Sequence, residues 1–178
     1  MATGYATEAS GHASFTQGYG NKASGEYSLA AGHGTKATNT SAVAFGTESE
    51  ANGANSMASG YKAKTKDIVP SSHAFGYAVE TKGDSSKKGQ MVVGRYNDIE
   101  KTYTQGAIFA VGCGDSEDSR KNAFSVNESS DGKLSLYIGD VNISEEKFKE
   151  LSESEYTTTA TVNDLISKAI GLAMEGEY

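Results

Sequence analysis

Three histidines, one cysteine, a run of carboxylates and a row of tyrosines are the residues in this chain whose types could do chemistry. His12, His33 and His73 would serve as metal ligands or proton carriers, but they sit at unrelated spacings and form neither an HxH nor an HExxH pattern. Asp115, Glu117, Asp118 and Asp131 could hold calcium, yet they lack EF-hand spacing and its glycine, which leaves a solvated acidic loop. Cys113 has no sequence neighbour that would activate a thiolate and no partner for an intramolecular disulfide, so a packed thiol is expected. Gly18-x-Gly20 begins like a phosphate loop, but no P-loop, dinucleotide fingerprint or Gly-x-Ser-x-Gly elbow follows. No catalytic residue, no metal site and no cofactor is therefore expected.

Tyr5, Tyr19, Tyr61 and Tyr77 each follow a glycine directly. Such a series either packs as a ladder or offers an aromatic stripe that can stack on sugar faces. The spacing of those glycines shows what positions them. Gly4, Gly18, Gly32, Gly46 and Gly60 are 14 residues apart; Gly76 follows after 16 and Gly94 after 18. Five residues after each glycine comes a small residue: Ala9, Ala23, Ala37, Ala51, Thr65, Thr81. Behind these lie turn dipeptides such as Ser10-Gly11, Ser24-Gly25 and Asn52-Gly53, whose Gly and Asn suit a left-handed corner.

Before each glycine the pattern alternates. Ser14, Ser28, Ala42, Ser56 and Ser72 are small, as are Thr16, Ala30, Ala44, Ala58 and Ala74. Phe15, Leu29, Val43, Met57 and His73 stand between them, with Met91 in the last unit. Period-two alternation means extended strands, and two short strands per unit separated by corners mean a solenoid. Its interior admits only small side chains, so the bulky face needs an outside cover. Glu8, Lys22, Lys36, Glu50, Lys64 and Glu80 occupy one position of the unit. Stacked in register, they form a solvated row in which only Lys22 and Lys36 are like-charged neighbours.

The two longer units place their extra residues after a corner, around Asp67 to Ser71 and Asp84 to Lys88. A solenoid lengthens there without disturbing its stack, and binding loops grow at such places. The candidate binding residues are accordingly Asp67, Ile68, Val69, Ser71, Asp84, Lys87 and Lys88, with Tyr61 and Tyr77.

Leu, Ile, Val and Phe together supply 28 of 178 residues, about 16%, below the roughly 20% at which composition alone suggests disorder. On a repeating comb the same figure describes a thin coil. The net charge of −7 arises after Gly94, and neither half has the basic excess of a nucleic-acid surface. No apolar run reaches the 18 residues of a membrane-spanning helix. The first 20 residues lack the charged and apolar regions of a signal peptide, so the chain is expected to be cytosol-made, clipped or exported by other means.

Ser41-Ala42-Val43-Ala44-Phe45-Gly46, Ser56-Met57-Ala58-Ser59-Gly60 and Ser72-His73-Ala74-Phe75-Gly76 resemble the repeats of trimeric autotransporter adhesin heads. The resemblance covers residues 1–94. It implies a left-handed parallel β-roll that forms a homotrimer, with Phe15, Leu29, Val43, Phe45, Met57 and Phe75 covered between subunits. No close match to that family's neck motif or β-barrel anchor is visible. Gln90 to Asp98, Ala107 to Gly114 and Arg120 to Val126 instead resemble phage and prophage tail-fibre proteins, over about 90–139.

Beyond the comb, residues 106–112 read as an apolar strand. Ala123–Val126 and Lys133–Ile138 read as a hairpin around Ser130-Asp131-Gly132, with Leu134, Leu136 and Ile138 on a buried face. Ser144 can cap a short helix to about Leu151. A second helix is expected from Thr161, carrying Val162, Leu165, Ala169 and Leu172.

The sequence thus predicts a mainly β, homotrimeric, left-handed parallel β-roll solenoid of 14-residue coils, with a small β cap and C-terminal helices. Its divisions are a roll over 1–94, a cap over 95–141 and a helical tail over 142–178. The expected role is non-enzymatic attachment by a trimeric phage or phage-like tail-fibre segment on a virion. The alternatives are the head of a bacterial cell-surface trimeric adhesin and a fibre-associated polysaccharide depolymerase. The expected partners are a homotrimer and a bacterial or host surface receptor, with a glycan as one candidate, but neither nucleic acid nor an inserted membrane.

Overall fold

A computed structural model of the chain describes residues 1–66, 69–83, 89–100, 107–129, 131–144 and 147. Each unit makes one long and one short strand. In chain order these are β1 (Ala2–Tyr5), β2 (Glu8–Ala9), β3 (Phe15–Tyr19), β4 (Lys22–Ala23), β5 (Leu29–His33), β6 (Lys36–Ala37), β7 (Val43–Thr47), β8 (Glu50–Ala51), β9 (Met57–Tyr61) and β10 (Lys64–Thr65). Five further long strands follow: β11 (His73–Tyr77), β12 (Met91–Arg95), β13 (Ala107–Cys113), β14 (Asn122–Glu128) and β15 (Leu134–Ile138), and then β16 (Val141–Ser144). The long strands form one sheet from β1 to β16, and β2, β4, β6, β8 and β10 form a second. The chain is a β-solenoid.

Every pairing from β1 through β13 is parallel and glycine sits on glycine: Gly18 against Gly32, Gly60 against Gly76, Gly76 against Gly94. The ladder runs on past Gly94, because Gly94 pairs with Gly112 and Met91 with Phe109. Extra residues are absorbed at the corners. There the Gly89 N–H donates to the Pro70 carbonyl at 3.2 Å, so one enlarged corner rests on the next.

The interior is built from Ala23, Ala37, Ala51 and Thr65 on the short strands against Thr16, Ala30, Ala44, Ala58 and Ala74 on the long ones, all fully buried. A coil this thin has no room for Leu or Phe. Its larger apolar members, Val69, Val79 and Val92, belong to the enlarged coils. Ser14, Ser28, Ser56 and Ser72 each donate their hydroxyl to the carbonyl three residues back, at 2.6–2.8 Å, which closes the corner.

The corner glycines do a different task from the one their type suggests. Gly25 does not adopt a left-handed conformation; a Cβ on it would lie 1.9 Å from the carbonyl oxygen of Asn39 in the next coil. Close stacking, not φ, demands glycine there. The left-handed residue falls two positions later, at Ala13, Tyr27, Ser41 and Asn55, with φ of 51°, 56°, 54° and 53°.

After β13 the chain reverses. β14 lies antiparallel on β13, β15 on β14 and β16 on β15, so the edge of the last parallel strand is paired. The expected hairpin is present, closed by Ser129 N–H to the Lys133 carbonyl at 2.9 Å. The expected burial of its apolar face is not: Leu134 is 49% exposed, and Leu136 and Ile138 are half-buried. Nothing else among the described residues covers that face. The Lys147 N–H donates to Ser144 Oγ at 3.2 Å, the bond expected of a capping serine. Leu151 and the helix expected from Thr161 lie outside the described residues.

Candidate functional site

The residue after each comb glycine forms a ladder. Tyr5 and Tyr19 stack with centroids 5.2 Å apart and an interplanar angle of 12°, and Tyr19 and His33 at 5.2 Å and 11°. Thr47 interrupts the series, and Tyr61 and Tyr77 resume it at 4.8 Å and 23°. In-register strands hold the rings about 4.8 Å apart, so each ring spends its faces on its neighbours. Sugar-face stacking is thereby restricted to the ends, where Tyr5 is 70% exposed; along the ladder a ligand meets ring edges and hydroxyls. Tyr96 tilts against Tyr77 at 5.2 Å. The hydrogen bond with Tyr77, followed by burial, holds its hydroxyl proton above the usual tyrosine range.

Charge runs beside the ladder. Lys22 pairs with Glu8 at 3.2 Å and Lys36 with Glu50 at 2.9 Å, so the like-charged neighbours Lys22 and Lys36 reach in opposite directions. Lys64 lies 3.8 Å from Glu50, and Lys66 lies 2.8 Å from Glu80. Burial disfavours the Glu50 carboxylate. The hydrogen bond from Lys36 and the charge of Lys64 outweigh that and hold its carboxyl below the ordinary range. Lys62 sits 5.3 Å above the Tyr61 ring and 3.8 Å from Glu48, and Tyr61 foremost and then Glu48 favour its protonated form. Lys36, Glu48, Glu50, Lys62, Lys64 and Glu80 line an open groove of about 410 Å³, with Glu117 and Arg120 also in its wall.

Arg120 fastens that wall. Its guanidinium donates to the carbonyl oxygens of Ala78 (2.9 Å) and Asn97 (3.3 Å), pairs with Glu117 and lies 5.7 Å from the centre of the Tyr96 ring. Asp115 pairs with Arg95 at 2.9 Å, and Asp131 with Ser129 and Lys133. Among the described residues no group of three His, Cys, Asp or Glu is placed to hold a metal.

The candidate binding residues divide. Tyr61 and Tyr77 meet in the ladder. Val69 is fully buried and its carbonyl accepts the Ser72 hydroxyl, so its side chain meets the coil interior rather than solvent. Ser71 is exposed, left-handed at φ 57°, and donates its N–H to the Ala54 carbonyl at 2.8 Å. It precedes β11 while Tyr77 ends that strand, a separation of about 20 Å. Asp67, Ile68, Asp84, Lys87 and Lys88 lie outside the described residues.

A second organised surface among the described residues is the bulky face. Phe15, Leu29, Val43, Met57, His73, Met91 and Phe109 form one in-register column, all half-buried. Gln17, Ala31, Phe45, Ser59, Phe75, Val93 and Val111 form the next, with Phe45 36% exposed. His73 and Phe75 stack at 5.9 Å and 11°, which places both columns on one side of the sheet. Phe109 and Val111 join this face through β13. The 18-residue step from Gly94 to Gly112 is the signal in the sequence that could have placed them there.

The family model described as YadA head domain repeat matches residues 17–35, 23–49 and 37–63, within the 14-residue coils. No curated protein matches the chain.

Proposed function

We propose that this chain, with YadA head repeats in residues 17–63, is the head of a homotrimeric bacterial cell-surface adhesin that works by attachment. Head domains of this family form homotrimers and bind surface receptors. The observation that carries the reading is the apolar face. Eight parallel long strands stacked at about 4.8 Å give a face roughly 34 Å tall and about 17 Å wide, on the order of 550 Å² per chain. That reaches the upper part of the roughly 300–600 Å² spanned by the largest patch of an ordinary monomer, a patch that is often functional. It is also the cover that an interior of Ala, Ser and Thr cannot supply for itself.

Three copies side by side would present three tyrosine ladders and three sets of enlarged corners on one stiff mount. Weak contacts with a surface receptor would then add as avidity. The role is binding rather than catalysis. The head-repeat match favours this reading over a virion tail fibre. Sedimentation of the purified chain tests the assembly, with a trimer expected and a stable folded monomer overturning it. Beads coated with the trimer test the attachment: retention on host cells is expected above that of beads coated with a Val43→Asp monomer, and equal retention refutes it.

A further inference from the structure

The bulky columns carry one ionisable side chain. His73 occupies the position held by Met57 in the coil before and Met91 in the coil after, and its ring lies on Phe75. Its Nδ1 is buried and has no hydrogen-bond partner, an arrangement that native structures seldom keep without a use. We propose that His73 makes assembly through this face acid-sensitive, so that the trimer holds at neutral pH and loosens on acidification. This rests on the trimeric reading above.

Both protonation states of the ring are poorly served here. A neutral imidazole leaves Nδ1 an acceptor with no donor, and an imidazolium needs an acceptor at each nitrogen. The strands packed against β11 give Nδ1 no partner; β10 brings Lys64, which pairs with Glu50, and Thr65, which is buried in the coil. β9 presents Met57 and Ser59 and β12 presents Met91 and Val93 beside it. The titratable or charged groups of these strands, Tyr61, Tyr77 and Arg95, stand at the far ends, four residues along or about 13 Å. In the separated chain the ring is half-exposed, so water reaches its open side while Nδ1 stays buried. Covering the face with a second copy removes that water, so the proton costs more in the assembly than outside it.

The sign follows from linkage. The separated chain binds the proton more readily than the assembly, so assembly is favoured at neutral pH and lost as the pH falls through the imidazole range. Because one histidine enters from each chain, the effect acts three times per trimer.

The test uses the full chain in sedimentation dilution series at about pH 7.5 and about pH 5, alongside His73→Met and, should that variant fold poorly, His73→Gln. A trimer that weakens in acid in the parent, but not in the His73 variants, is expected. A His12→Gln, His33→Gln double variant should respond to acid as the parent does. Equal acid loss in the parent and the His73 variants overturns the proposal while leaving the trimer standing, as does a parent trimer indifferent to acid or strengthened by it. A monomer at neutral pH removes the trimeric reading, and the proposal with it.

Discussion

The side-chain oxygen of Asn21 accepts both the N–H and the hydroxyl of Thr35, at 2.8 and 2.9 Å, one coil further on. The Asn21 amide donates to the carbonyls of Gln17 and Gly32 at 2.7 and 2.8 Å. One fully buried side chain thus ties its own coil to the next. In Asn21→Ala these groups lose their partners, and about 2–3 kcal/mol of stability should be lost. Denaturant unfolding measures it; a loss below about 0.5 kcal/mol would refute the role.

Two neighbouring glycines should behave differently. A Cβ at Gly32 meets the Gly46 carbonyl oxygen at 1.9 Å, with φ at +129°. Gly34 has φ of +65° and open space apart from Glu48 Cγ at 3.7 Å. Ala6, Glu48, Lys62 and Ala78 already adopt φ of 50–53° at the position equivalent to Gly34. Gly32→Ala should cost more than about 4 kcal/mol or abolish folding, and Gly34→Ala about 1 kcal/mol. Similar midpoints for the two variants would contradict the stacking account.

Val43 lies mid-column on the bulky face and projects away from the interior. Val43→Asp should leave the coil's circular dichroism unchanged and shift the sedimenting species from trimer to monomer, because a buried unpaired carboxylate costs several kcal/mol per chain. A trimer of parental stability would show that another surface makes the contact.

Glu50 sets a separate pH window. Its carboxyl is held below the ordinary range in the folded chain, so the contribution is present above the unfolded value and lost as pH falls through the folded one. The pair is partly exposed, so the effect should stay below about 1 kcal/mol. Glu50→Gln should flatten the acid limb of unfolding below about pH 5 while leaving a His73 response in place. An unchanged acid limb would remove Glu50 as a contributor.

Arg120 joins residues distant in sequence, and Arg120→Ala should release the turn it anchors rather than the roll. Hydrogen exchange at Gly114 and Asp115 should rise, with the amides of β5 and β7 unchanged. Arg120→Lys should restore little, since a lysine cannot reach two carbonyls and a carboxylate with one planar fork. Uniform acceleration throughout would show a global loss instead.

The comb, the coil length and the thin interior were legible because each is enforced coil by coil: glycine meets glycine, and Ala, Ser or Thr points inward. Physical reasons also explain what was not legible. Gly25 looks like a turn residue, but the contact that requires it lies in another coil. Asn21 also reads as a corner residue, while its buried network depends on Thr35 being one turn away. The strand at Ala107 to Cys113 was visible as apolar, yet its place as another parallel rung depends on register with Met91, and the intervening corner carries no repeat signature. The sequence pointed to Tyr61 and Tyr77 as a possible sugar platform. Only the 4.8 Å stacking shows that the faces they turn to each other are already occupied.

Because glycine pairs with glycine whether 14, 16 or 18 residues separate them, the climb per coil is independent of the chain spent in making it. The solenoid is a graduated rod: each corner is a mark about 4.8 Å above the last. A peptide inserted between Lys66 and Val69, or between Gly83 and Gly89, would be displayed at a chosen height without moving the marks above it.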